Sequence, residues 1–212
     1  MSEEKIKARV TKSARVFVHN DLSSAVGYFA TLIEEKQKAG SGGILIDGMV
    51  CMTLIAFTFE ANVNFMGFEM EKAGKLPNWK ERDPFNEKLK KVFGALSIPI
   101  EKDKRPHKTM ENTKLLRDTL AHGKPEYREY DEIEIGTHAE IDWRSGADLL
   151  AGWQLECTPE HVAEASADLD ELWKLMVEQS GLDLWDTITR GEGGIEFIEH
   201  VDPNTPSTVP KR

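Results

Sequence analysis

From Gly43 to Ala73 the chain is apolar at almost every helical angle, through Ile44, Leu45, Ile46, Met49, Val50, Met52, Leu54, Ile55, Phe57, Phe59, Val63, Phe65, Met66 and Phe68. A helix with apolar side chains all round belongs at the centre of a bundle, not on its surface. The apolar run Ile44 to Phe59 is broken by Asp47 and is short for a bilayer, so no membrane association is expected. Glu60, Asn62 and Asn64 interrupt the apolar pattern. A buried carboxylate is costly unless it is paired. These residues read either as a network that fixes helix register, or as a support in which Glu60 orients an arginine from a neighbouring helix.

The rest of the chain supplies helices to pack around this one. Asn20 or Asp21 can cap a helix carrying Leu22, Val26, Phe29, Leu32 and Ile33. Gly40-Ser41-Gly42-Gly43 ends it and lacks the Gly-Lys-Ser/Thr ending of a phosphate loop, so it reads as a turn. Asp83-Pro84 gives a cap and first helical position for Phe85, Leu89, Val92, Phe93 and Leu96, and Pro99 closes that helix. A further helix follows His107, itself expected to be solvent-exposed. Met110, Thr113, Leu116 and Leu120 form its stripe. Gly123 and Pro125 stop it at or near His122. Thr158-Pro159-Glu160 opens the last helix, with Val162, Ala165, Leu169, Leu172, Trp173 and Met176 on one face and Gly181 at its end. Alternation in Tyr127–Ile135 and His138–Trp143, with Gly136-Thr137 between, suggests a small hairpin.

The expected fold is therefore an all-α, up-and-down bundle of about five helices with a β-hairpin-like excursion before the last one. Residues 1–18 read as a lead-in, 19–181 as the bundle, and 182–212 as an extended, partly disordered tail.

The formal charge of −10 argues against a general nucleic-acid binder. Its distribution is uneven: residues 88–128 hold eleven lysines and arginines against five acids, whereas 129–200 hold nineteen acids against three basic residues. A local anion site is compatible with this pattern; a long duplex track is not. The first residues, Met-Ser-Glu-Glu-Lys, show no apolar export signal, which suggests a cytoplasmic protein. Cys51 and Cys157 have no metal or redox spacing and read as buried small hydrophobes. No cofactor or metal is expected.

The basic block surrounds the stretch Arg117-Asp118-Thr119-Leu120-Ala121-His122-Gly123. Arg-polar-x-x-x-His at the end of a late bundle helix resembles the signature of the HEPN superfamily. Phe57-Thr58-Phe59-Glu60-Ala61-Asn62-Val63-Asn64-Phe65 is similar to the long earlier helix of that family, which often carries Glu-Ala-x-x-Asn. The resemblance implies a homodimer and, in many members, metal-independent cleavage of single-stranded RNA in toxin or phage-defence roles. It implies Arg117 and His122 as catalytic groups and Asp118 in the family's polar slot, with Lys114 and Lys124 placed to hold phosphate. Glu60 and Asn64 would support them. Many members of that family look like inactive modules that bind nucleotide or protein, which the resemblance leaves open here, and an antitoxin partner would accompany a toxin.

One geometric constraint comes from the helix itself. Residues 117 and 122 lie roughly 140° apart around an ideal α-helix. They flank the Leu116/Leu120 stripe from opposite sides. Either the last turn loosens, or a second copy supplies the missing partner.

Overall fold

The computed structural model describes residues 4–138, 140–141 and 149–209, which form two compact units: Val18–Asp186, and the two flanking segments together. The larger unit is a helical bundle of α1 (Val18–Ala39), α2 (Ile44–Lys72), α3 (Phe85–Ala95), α4 (His107–His122), α5 (Gly152–Leu155) and α6 (Pro159–Ser180). α2 is the central helix, in contact with α1, α3, α4 and α6. By length and composition it could also cross a bilayer, since its apolar character runs beyond Phe59. Within the chain its apolar side chains build the core. Cys51, Ile55, Val63 and Met66 of α2 are buried, as are Val26 and Ile33 of α1, Val92 and Phe93 of α3, Met110 and Leu116 of α4, and Val162, Leu172 and Met176 of α6, the helices that pack against it.

Two glycines let other segments come close to α2. A Cβ on Gly48 would lie 2.1 Å from the Cys157 carbonyl oxygen, and one on Gly67 would lie 2.3 Å from the Trp79 ring. His19, also buried, packs its ring between Phe65 and Trp173, at centroid distances of 4.5 and 5.0 Å.

Polar contacts then fix the helix ends. Lys36 pairs with Asp47 across the α1–α2 turn, where Gly40 and Gly43 take positive φ. Thr158 caps α6 by accepting from the His161 N–H, with Pro159 at the first position. Arg105, just before α4, donates Nε and Nη2 to the two oxygens of Asp168 at 2.9 and 2.8 Å. That carboxylate is 3% exposed and sits on α6, so the pair ties α4's entrance to the last helix. Asp83 does not cap α3; it accepts from Lys91 at 2.6 Å, and the helix begins at Phe85. α1 starts at Val18, ahead of the expected cap.

The β structure lies elsewhere than the alternation at 127–143 suggested. Residues 124–138 contain no strand, with Ile133 and Ile135 95% and 99% exposed. Alternation gives a segment two faces, but a strand also needs a hydrogen-bonded neighbour. Residues 139 and 142–148, including Trp143 of the expected second strand, lie outside the described residues.

The smaller unit is a two-stranded antiparallel ribbon of β1 (Lys5–Arg15) and β2 (Arg190–Val201). The segments expected to be a lead-in and a tail are thus paired with each other. One ribbon face is apolar, with Ile6, Ala8 and Val10 beside Phe197 and Ile195; the other carries Lys7 opposite Glu199 and Arg9 opposite Glu196. The Lys7–Glu199 pair closes at 2.8 Å. A bulge at Ile198 interrupts β2.

Candidate functional site

α4 is helical from His107 to His122, and Gly123 ends it in the left-handed conformation, donating its N–H to the Thr119 carbonyl at 3.1 Å. The last turn does not loosen. Arg117 and His122 therefore keep the roughly 140° separation of a regular helix.

Arg117 is half-buried in the contact between α4 and α2. Its Nη2 donates to Glu60 Oε2 at 3.4 Å, and its guanidinium carbon lies 5.3 Å from the centroid of the Phe57 ring. Phe57 and Glu60 are three residues apart on α2, so one helix face offers the arginine an aromatic ring and a carboxylate. Arg117 Nε is 3.2 Å from Asp118 Oδ1, close enough for ionic attraction, but it is buried and makes no hydrogen bond.

Asp118 accepts a 2.9 Å hydrogen bond from Lys114 one turn earlier. That bond holds its carboxyl below the usual aspartate value; desolvation opposes it, and the charges of Lys114, Arg117 and His122 add to it. Glu60, Arg117, Asp118 and Lys114 thus form one chain of alternating charge.

His122 is exposed at the end of α4, and among the described residues no hydrogen bond or ion pair reaches its ring. Its link to the chain of charge is through Asp118, four residues back. Lys124 is exposed beyond the helix, likewise without such a partner among the described residues. Asn64 lies apart from Arg117's contacts: its Oδ1 accepts from Lys88 Nζ at 2.9 Å, and Lys88 is buried with its ammonium 6.0 Å from the Trp79 ring centroid. Asn62 is buried with its Oδ1 unsatisfied.

Sequence reasoning passed over two features. Phe57 read as one more core residue, although its three-residue spacing from Glu60 was visible. His107, expected in solvent, is the first residue of α4 and half-buried, 5.3 Å from the Phe93 ring, and burial pushes its imidazole below the usual value. It lines a small cavity of about 80 Å³ with Phe59, Phe85, Met110 and Lys114, so this hollow adjoins the Lys114 end of the charge chain.

Both cysteines are free and buried, their thiols pushed up to about 11 by desolvation. Among the described residues no group of three His, Cys, Asp or Glu side chains converges as a metal site. Comparison with protein-family models, with curated protein sequences and with solved structures found no match.

Proposed function

We propose that the chain is a metal-independent endoribonuclease of the HEPN type, acting on single-stranded RNA as a homodimer. The observation that carries this reading is the end of α4: a half-buried arginine steadied by Glu60 and Phe57, and an exposed histidine one and a half turns later. RNA brings its own nucleophile. Attack of the 2′-oxygen on phosphorus forms the new P–O bond and breaks the bond to the 5′-oxygen, leaving a 2′,3′-cyclic phosphate and a 5′-hydroxyl. His122 takes the 2′-hydroxyl proton or gives one to the departing oxygen. Arg117 holds the phosphate and meets the charge that develops on it. Asp118 orients His122 or the neighbouring Arg117, and Lys114 and Lys124 add positive charge for the flanking phosphates.

Because α4 is regular, one copy cannot direct both groups at one phosphate. Two copies related by a two-fold axis can, each site taking Arg117 from one subunit and His122 from the other. A toxin or phage-defence role, an antitoxin partner and a cytoplasmic setting belong to the same proposal.

A second reading is an inactive dimeric module that binds nucleotide or a protein. It is favoured by the charge balance around Arg117, which already faces two carboxylates. A single assay separates the two: purified protein on mixed RNA with EDTA present. The nuclease reading expects cleavage that survives chelation, leaves cyclic phosphate ends and disappears in His122→Ala. Binding without cleavage supports the module, and cleavage that chelation abolishes and magnesium or manganese restores refutes the mechanism.

A further inference from the structure

Residues 124–138 leave α4 without forming helix or strand, in a connection longer than most in compact domains, of a length found in binding segments and in linkers. Ile133 and Ile135 are almost fully exposed and alternate with Glu132 and Glu134. In an extended conformation both isoleucines would face one side and both glutamates the other. Such a segment needs only a strand edge to pair with, and the ribbon offers one: among the described residues β1 is hydrogen-bonded on one side only, to β2. The bulge is in β2, so the outer edge of β1 is regular.

Charge makes the two complementary. β1 carries Lys5, Lys7, Arg9, Lys12 and Arg15 and no acid. Residues 129–135 carry Glu129, Asp131, Glu132 and Glu134 and no base. An antiparallel alignment that sets Ile135 opposite Ile6 and Ile133 opposite Ala8 also sets Glu134 opposite Lys7, Glu132 opposite Arg9 and Glu129 opposite Lys12, and leaves Asp131 alone among the acids against an apolar residue, Val10. A one-residue slip puts every one of those glutamates against an apolar or uncharged residue.

We propose that residues 129–135 of one copy add as a third, antiparallel strand to the outer edge of β1 in a second copy. Both halves of the match lie in the same chain, so exchange between two identical copies satisfies two edges at once. The apolar ribbon face gains two isoleucines, and the basic side chains of β1 gain acids on the flank away from β2. This contact does not rest on the nuclease reading and can hold where that reading fails.

Single cysteines test it directly. The native thiols are buried and pushed up to about 11, which keeps them out of thiol exchange. Full-length Lys7→Cys and Glu134→Cys proteins, each with one introduced thiol, are mixed in a glutathione redox buffer. A disulfide joining the two variants can form only between copies. The expected result is that this heterodimer exceeds by about tenfold the product of Lys12→Cys with Glu134→Cys, a pair displaced along the strand by ~16 Å and beyond disulfide reach. Lys12→Cys with Glu129→Cys is a second in-register pair, should either first variant misfold. If neither in-register pair exceeds the displaced control, the exchange does not occur.

Discussion

Glu60 and Arg117 allow a worked prediction because their contact is neither fully buried nor fully exposed. At 3.4 Å the raw attraction is ~5 kcal/mol for an effective dielectric constant of about 20. The side chains keep 32% and 23% of their exposure, so water screens the pair, and holding two long side chains in one geometry costs entropy. A net coupling of about 1 kcal/mol follows, well short of the 3–5 kcal/mol lost when a buried pair is broken. The cation–π contact with Phe57 adds ~0.5–1 kcal/mol to Arg117 alone. Glu60→Gln should therefore cost about 1 kcal/mol and Arg117→Met about 2 kcal/mol, while the double variant costs roughly 1 kcal/mol less than their sum. Urea denaturation with an unchanged m-value reads all three. The functional sign is opposite: Glu60→Gln releases Arg117 for phosphate and should tighten RNA binding by about fivefold, the equivalent of that coupling. A coupling within ~0.3 kcal/mol of zero would show that the carboxylate does not hold the arginine, and one above ~3 kcal/mol would mean that the pair is desolvated beyond what its exposure allows.

The other predictions concern the frame and its acid sensitivity. Gly67→Ala, whose new Cβ would fall 2.3 Å from the Trp79 ring, should destabilise by ~1–3 kcal/mol. Gly94→Ala, with nothing within 4 Å, should be neutral or stabilising by up to about 1 kcal/mol, so thermal melts should show Gly67→Ala lowered and Gly94→Ala unchanged or raised. Asp118's folded value is lowered, so its contribution is present above the ordinary value of 3.8 and fades as pH falls through the lower folded value. Asp118→Asn should thus flatten the acid limb of stability below about pH 4, and an unchanged limb would separate Asp118 from Lys114.

Where the sequence was legible, the signal was carried by one continuous stretch of chain. The length of α2 followed from apolar residues at every angle, the end of α4 from Gly123, and the start of α6 from Thr158 and Pro159. These are local signals: the two helix ends are decided within one turn, and α2 by the pattern along its own length. The ribbon was not legible, because its strands are separated by the whole bundle and β2 is rich in glycine, which weakens strand propensity. The alternation at 127–135 was stronger as a pattern, yet it remains unpaired within the described chain. The site was legible as residue types and spacing. Glu60 does reach Arg117, but Asn64, four residues further along α2, is engaged by Lys88, a partner that spacing on α2 alone could not name.

Whether Arg117 and His122 act across two copies is decided by mixing two inactive proteins. Arg117→Ala and His122→Ala are unfolded together and refolded at equal concentration. With random pairing about half the dimers are mixed, and in each of these one site has lost both groups while the other keeps both. The shared-site account predicts the return of roughly a quarter of the unmodified protein's RNA cleavage. No recovered cleavage, in a sample where mixed dimers are shown to form, would contradict it.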